Sequence, residues 1–228
     1  MKILALECSA GPASAAVIED GSIIASAFTN IRMTHSQTLL PMMKKMLDEK
    51  GISVSDIDAL AISRGPGSFT GIRIGISAVK GLAAPNALPC YGVSTLRAIA
   101  ENHRDFEGII SAVMDARCNQ VYNALFRAKE GKITRLCEDR ALMIDELLKE
   151  LEAFNENIII SGDGAGLFEK YSSEKLLVAD ETCCFQRAEG VAKSALEYEP
   201  ATPDKLTPFY LRLPQAEREL KAKKEQTK

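Results

Sequence analysis

The stretch Arg64-Gly-Pro-Gly-Ser-Phe-Thr-Gly-Ile-Arg-Ile-Gly75 constrains this chain more than any other. Residues 57–63, Ile-Asp-Ala-Leu-Ala-Ile-Ser, read as a short buried strand before it. Behind it, Ile72, Ile76, Val79 and Ala83 recur at helical spacing and predict a helix over 71–84. The stretch is therefore a strand, a glycine-rich turn and a helix start. Ser68 or Thr70 can cap that helix by accepting an orphan backbone N–H. Exposed N–H groups at a helix start attract anions, which makes Arg64, Gly65, Gly67 and Ser68 candidate nucleotide or anion contacts, and the strand-end acids Glu7 and Asp115 join them as a possible metal- or phosphate-site pair. The motif tests run against a phosphate cradle. A P-loop needs Lys-Ser/Thr after its last glycine, whereas Ile72 and Arg73 follow Gly71. In a dinucleotide fingerprint the third glycine would come one residue earlier. A glycine-rich packing joint is the simpler reading.

At roughly 100° per residue, Gly71, Gly75, Ala78 and Gly81 form a flat second face of the helix, together with Ile74. Glycine inside a helix costs about 1 kcal/mol against alanine. A face built from it predicts close approach by another backbone, within the fold or on a partner. The helix predicted over 36–50 adds a second clue. Leu39, Leu40, Met42, Met43, Met46 and Leu47 cover an arc of roughly 160°, wider than a surface helix needs. Methionine is over-used at adaptable binding surfaces, although core filling explains the arc equally well. Taken together, Leu39, Met42, Met43, Met46, Gly71, Ile74, Gly75 and Ala78 are the candidate partner interface.

The rest of the chain reads as a duplication. Residues 2–7, 13–19 and 22–28 predict three strands, the last two joined by a turn at Asp20-Gly21. The helix at 36–50, the strand at 57–63, the helix at 71–84, a strand at 89–93 and a helix from Ser94 or Thr95 follow. Residues 109–115, 120–127 and 132–137 repeat the three strands. A helix at 144–154, a strand at 157–161, a glycine turn into a helix, a strand at 175–178 and a helix at 186–198 complete the second half. Both halves read βββαβαβα, and each first strand ends on an acid, Glu7 or Asp115. The predicted boundary is at 104/105, with 105–204 as the second domain and 205–228 returning to the first, where 209–213 pack back.

Composition narrows the classes. A hydrophobic share of 46% and a charged share of 26% suit a soluble domain pair. No run of 18 apolar residues occurs and Met1-Lys-Ile-Leu opens directly on a strand pattern, so neither membrane span nor secretory leader is expected. The net charge of −3 lacks the basic footprint of an autonomous RNA binder, since basic residues cluster only at Lys221-Ala-Lys-Lys224. Six cysteines without a C-x-x-C predict reduced thiols and no zinc site. The two histidines, His35 and His103, form no H-E-x-x-H, and no G-x-S-x-G elbow is present. In duplicated folds of this pattern, strand-end acids such as Glu7 and Asp115 face each other across a cleft for nucleotide and magnesium. Local hydrogen bonding is the alternative. Gly162-Asp-Gly-Ala is a further turn able to face an adenosine.

The N-terminal Ile-Leu-Ala-Leu-Glu strand, His35-Ser-Gln-Thr-Leu-Leu-Pro41, the glycine-rich stretch, Gly92-Val-Ser-Thr-Leu96, Met114-Asp-Ala-Arg117 and Pro208-Phe-Tyr-Leu-Arg212 together resemble the TsaB (YeaZ) family. The resemblance covers nearly the whole chain. It implies an α/β fold of the ASKHA (actin-like ATPase) type, with two duplicated ribonuclease-H-like domains. It implies a cytoplasmic role in making N6-threonylcarbamoyladenosine at position 37 of tRNAs that read ANN codons. In that system threonylcarbamoyl-AMP is made elsewhere and a metal-binding relative, TsaD, carries out the transfer. The family member binds TsaD through its N-terminal domain as a non-catalytic partner, and the TsaE ATPase joins them. The resemblance therefore implies no cofactor in the isolated chain, ATP and metal on the partners, and only indirect contact with tRNA; an exposed apolar face is itself sticky, so a homodimer through the same helices is expected when TsaD is absent. Glu7 departs from the family's usual aspartate, which weakens a nucleotide role for the first loop. An ATP-binding or ATP-hydrolysing enzyme using Glu7 and Asp115 is the rival expectation, and the family's older glycoprotease-like label finds no peptidase motif here.

Overall fold

The computed structural model describes residues 1–31 and 33–212; Leu213 and the basic cluster at 221–224 lie outside the described residues. Strands β1 (Lys2–Glu7), β2 (Ala13–Glu19) and β3 (Ser22–Thr29) form an antiparallel meander. Asp20 and Gly21 both take positive φ, 48° and 86°, as a two-residue hairpin turn requires. Helix α1 (His35–Glu49) leads to β4 (Ala59–Gly65), α2 (Phe69–Ala83) and β5 (Cys90–Ser94). The two later strands join in parallel, giving the order β3-β2-β1-β4-β5. Pro41 lies inside α1, where it forgoes one backbone bond.

The second half repeats the meander with β6 (Gly108–Asp115), β7 (Gln120–Lys129) and β8 (Lys132–Arg135), turning at Glu130 and Gly131 with φ of 51° and 70°. The single strand expected over 132–137 is shorter than predicted. An additional strand, β9 (Arg140–Met143), pairs with the opposite end of β7. The interruption carries Asp139 to the Ser94 hydroxyl at 2.6 Å and to Arg135 at 2.6 Å. Helix α4 (Ile144–Leu151), β10 (Ile158–Ser161) and β11 (Leu176–Val178) give the order β11-β10-β6-β7-β8. The helix expected after Gly162 is a 3-10 helix over Ala165–Tyr171, and the last helix shortens to α5 (Ala188–Ser194) with a 3-10 extension.

The two sheets fall on either side of residue 104, but the helices cross between them. In α3 (Thr95–Ala100), Leu96, Ile99 and Ala100 pack with Ile110, Ala112, Met114 and Phe126 of the second sheet. In exchange, Ala188, Val191 and Ala192 of α5 pack with Ile3, Ala5, Ala16 and Ala61 of the first. The sequence boundary therefore divides the sheets without dividing the cores. The crossed helices touch where Gly190 meets the Ala98 carbonyl, with no room for a Cβ. Arg97 binds Glu197 by two hydrogen bonds, 2.9 and 2.5 Å, and Glu101 at 2.6 Å, clamping the same junction.

Gly190→Val tests this crossing. It forces a side chain into the Ala98 backbone and is expected to cost about 3 kcal/mol, read as a lower chemical-denaturation midpoint. A midpoint within error of the parent would contradict the close approach.

Candidate functional site

Two features carry chemistry or recognition: the cleft between the sheets, and the outer face of α1 and α2.

At the cleft, Glu7 ends β1 and is 1% exposed. Its Oε1 accepts the Ser9 N–H at 2.6 Å, while Oε2 is buried without a full hydrogen bond, as are the Ser9 and Ser63 hydroxyls beside it. Burial pushes the Glu7 carboxyl above its ordinary range, and the nearby Ser63 and Ser9 groups only partly offset this. Asp115, at the end of β6, accepts the Arg117 N–H at 2.7 Å and pairs with the Arg117 guanidinium at 3.2 Å. Both strand-end acids therefore tie down the loop that follows them. Asp163, just after β10, is a third acid of the same kind, which sequence reading passed over as part of a glycine turn. The crowding of protein around it, the Asp115 and Glu7 charges, and the opposing Gln186 amide at 3.0 Å set its carboxyl at about 6. Solvent still reaches Asp163, so the crowding acts less than in a dry interior. The sequence signal was available: Asp163, like Glu7 and Asp115, follows a buried strand that ends at the cleft.

The glycine-rich turn fills the space beside the first loop. Ser68 N–H donates to the Ser9 carbonyl at 2.7 Å, and Ser68 Oγ caps α2 by accepting the Gly71 N–H at 3.2 Å. A Cβ at Gly71 would overlap the Cys8 carbonyl, and one at Gly67 would strike the Ser9 carbonyl. The Cys8 thiol, held protonated by burial, donates to the Gly71 carbonyl at 3.2 Å. Gly65 lies under the Phe209 carbonyl, and the Arg64 guanidinium stands 5.8 Å from the Phe209 ring. The N–H groups that would greet an anion at Ser68 and Gly71 are thus spent inside the chain. Among the described residues no three His, Cys, Asp or Glu side chains gather closely enough to hold a metal by themselves.

The outer face corrects the interface expectation in part. Leu39, Met43 and Met46 are core residues, buried with Leu47 against the first sheet. Gly71 and Gly75 are buried too; Gly75 faces Cys8 and Ile62, so its missing side chain serves the interior. The wide apolar arc of α1 is largely explained by contact with the sheet and α2. Met42, Ile74 and Ala78 remain half-buried. Together His35, Leu39, Leu40, Ile74, Ser77 and Ala78 line an open groove of about 460 Å³ between α1 and α2. Leu40 is 42% exposed, and just upstream Ile31 and Met33 are 54% and 53% exposed. The latter two were missed because they lie outside any periodic segment. His35 braces the groove's inner end through Nε2 and the Ala10 carbonyl, 2.7 Å apart, while His103 is held against Ser161 Oγ at 2.7 Å.

A family model described as TsaD, tRNA N6-adenosine threonylcarbamoyltransferase, matches residues 23–222. The tRNA threonylcarbamoyladenosine biosynthesis protein TsaB of Bacillus subtilis strain 168 is 30% identical over 221 residues, 95% of this chain and 96% of that protein. The chain belongs to the TsaB (YeaZ) family. Its Escherichia coli K12 relative, also TsaB, is 40% identical over 152 residues, 66% of this chain and 65% of that one. A Pseudomonas aeruginosa crystal structure, titled as an uncharacterized protein similar to peptidase YeaZ, superposes with a TM-score of 0.80 at 28% identity, over 92% of this chain and 99% of its own. Component A of the (R)-2-hydroxyglutaryl-CoA dehydratase of Acidaminococcus fermentans superposes at 0.50 with 8% identity, covering 87% and 97%, which is a likeness of fold alone. The TsaB-family chain thus has the actin-like ATPase fold.

The raised Glu7 carboxyl has a signed consequence. The folded state keeps its proton above the ordinary 4.5, where the unfolded chain has lost it. The stability Glu7 contributes is full below about pH 4.5 and declines as pH rises towards its folded value. Glu7→Gln, which retains an acceptor for Ser9, should match the parent's thermal midpoint near pH 4 and exceed it near pH 7.5. An equal difference at both pH values would contradict the buried, proton-holding carboxyl.

Proposed function

We propose that this chain is a non-catalytic subunit that binds and activates a TsaD-type transferase in forming N6-threonylcarbamoyladenosine at position 37 of ANN-decoding tRNAs. The observation that carries the reading is the groove between α1 and α2, with Leu40, Ile74 and Ala78 at the surface and Ile31 and Met33 beside it. Its support is the naming of the relatives as tRNA threonylcarbamoyladenosine biosynthesis proteins, and the match to a family model named for the transferase. A specific contact needs about 800 Å² on each partner, within reach of two helix faces. In this reading the transferase brings the metal, and a TsaE-type ATPase brings ATP hydrolysis. The tRNA meets this chain only through the complex, and two copies pair through the same groove when no transferase is present.

The rival, an ATPase working through Glu7 and Asp115, is disfavoured by the packing of the cleft, where Ser68 and Gly71 N–H groups are already bonded within the chain. Titration of the isolated chain with magnesium-ATP should give no saturable heat. Saturable heat that disappears in Glu7→Gln would restore the enzyme reading.

Leu40→Asp combined with Ser77→Arg puts charges on the groove at two exposed positions. This double variant should keep its circular dichroism and thermal midpoint yet lose affinity for the transferase by about 30-fold or more, the scale of an interface hot spot. Co-elution at parental affinity would overturn the docking face.

A further inference from the structure

Beyond Leu206, which inserts into the first core, residues 207–212 run back across the mouth of the cleft. Phe209 N–H donates to the Arg64 carbonyl at 2.7 Å, and the Phe209 carbonyl rests on Gly65. The Tyr210 ring stacks on Phe69 of α2 at 4.3 Å, and its hydroxyl accepts from Arg73 Nε at 2.8 Å. Arg212 reaches the second half, where Nη1 donates to the Ala116 carbonyl at 2.8 Å. One short segment is thus bonded to α2, to the glycine-rich turn and to the loop between β6 and β7.

That loop is strained. Arg117, Cys118 and Asn119 take φ of 65°, 55° and 57°, three successive side-chain-bearing residues in the left-handed region. Such a conformation persists only where its surroundings over-determine it. Here the Asp115 carboxylate holds Arg117 N–H, Ile144 N–H holds the Asn119 carbonyl at 3.1 Å, and Arg212 holds the carbonyl that opens the loop. The last of these anchors comes from the returning segment. Arg73, which fixes that segment at its other end, also lines the groove between α1 and α2.

We propose that residues 207–212 are a latch that couples the rim of the α1–α2 groove, through Arg73 and Tyr210, to the strained loop 116–119 across the cleft. Seated, the latch holds the loop in its left-handed conformation and covers the glycine-rich turn. Released at either end, it lets the loop relax and opens the turn to solvent. The link runs through one chain and operates without any partner.

Hydrogen exchange of the full chain alone tests it, comparing the parent with Arg73→Ala, Tyr210→Ala, Tyr210→Phe and Arg212→Gln. Peptides spanning 114–122 are expected to exchange at least tenfold faster in Tyr210→Ala and Arg212→Gln, and several-fold faster in Arg73→Ala, although Arg73 makes no contact with the loop. Tyr210→Phe keeps the stack on Phe69 and loses the Arg73 bond, so it should fall between the parent and Tyr210→Ala. Strand β1 and residues 108–113 of β6 should exchange as in the parent. Unchanged exchange at 114–122 in Arg73→Ala and Tyr210→Ala would overturn the coupling. An equal rise in β1 and in residues 108–113 of β6 would overturn it as well, because the segment would then be a general brace.

Discussion

The contact on which the rest depends is the one between the glycine-rich turn and the loop after β1. Gly67 and Gly71 lack side chains where the Ser9 and Cys8 carbonyls press in, and Ser68 bonds Ser9 across the same contact. This apposition fixes α2 against β1 and β4, which sets the angle at which α2 meets α1 and so shapes the outer groove. It also engages the Ser68 backbone donor at the start of α2. Glycine is needed here for proximity to a backbone carbonyl, a steric demand that no repacking of side chains relieves.

Much of this was legible in the residues. Hairpin turns at Asp20-Gly21 and Glu130-Gly131, the repeated order of elements and the acid at the end of each first strand identified two like halves. The glycine face of α2 announced a close backbone approach, and this holds at Gly71, where the chain's own Cys8 carbonyl presses in. Gly75 instead meets the Cys8 and Ile62 side chains, and Gly81 faces open space. The apolar arc of α1 failed as a surface signal for a related reason: periodicity shows which residues avoid water, and both a sheet and a partner satisfy that demand. Leu39, Met43 and Met46 went to the sheet. The exchange of α3 and α5 between the sheets was illegible, because both helices are short and periodicity shows which face is buried without naming the sheet that buries it. Asp163 was obscured by its glycine neighbours, which drew the reading towards a turn and away from the acid.

The cleft holds one buried acid, Glu7, and two that solvent reaches, Asp115 and Asp163. Glu7 is buried beside serine hydroxyls, which pushes its carboxyl above the ordinary range, and Asp115 serves its own loop. What the chain offers outward is apolar: Leu40, Ile74 and Ala78 in a groove, flanked by Ile31 and Met33. In the proposed function, such a subunit contributes through the surface it presents to the transferase, and its acids can be replaced as long as the fold is kept.

The most direct test of that claim is the yield of N6-threonylcarbamoyladenosine on tRNA in a reaction rebuilt from purified components, run with the parent chain, with Glu7→Gln/Asp115→Asn, and with no chain at all. The account predicts that yield collapses without the chain and is unchanged when both acids are neutralised. Yield that falls with the acids, in a variant that still folds and still binds the transferase, would contradict it and place chemistry in the cleft.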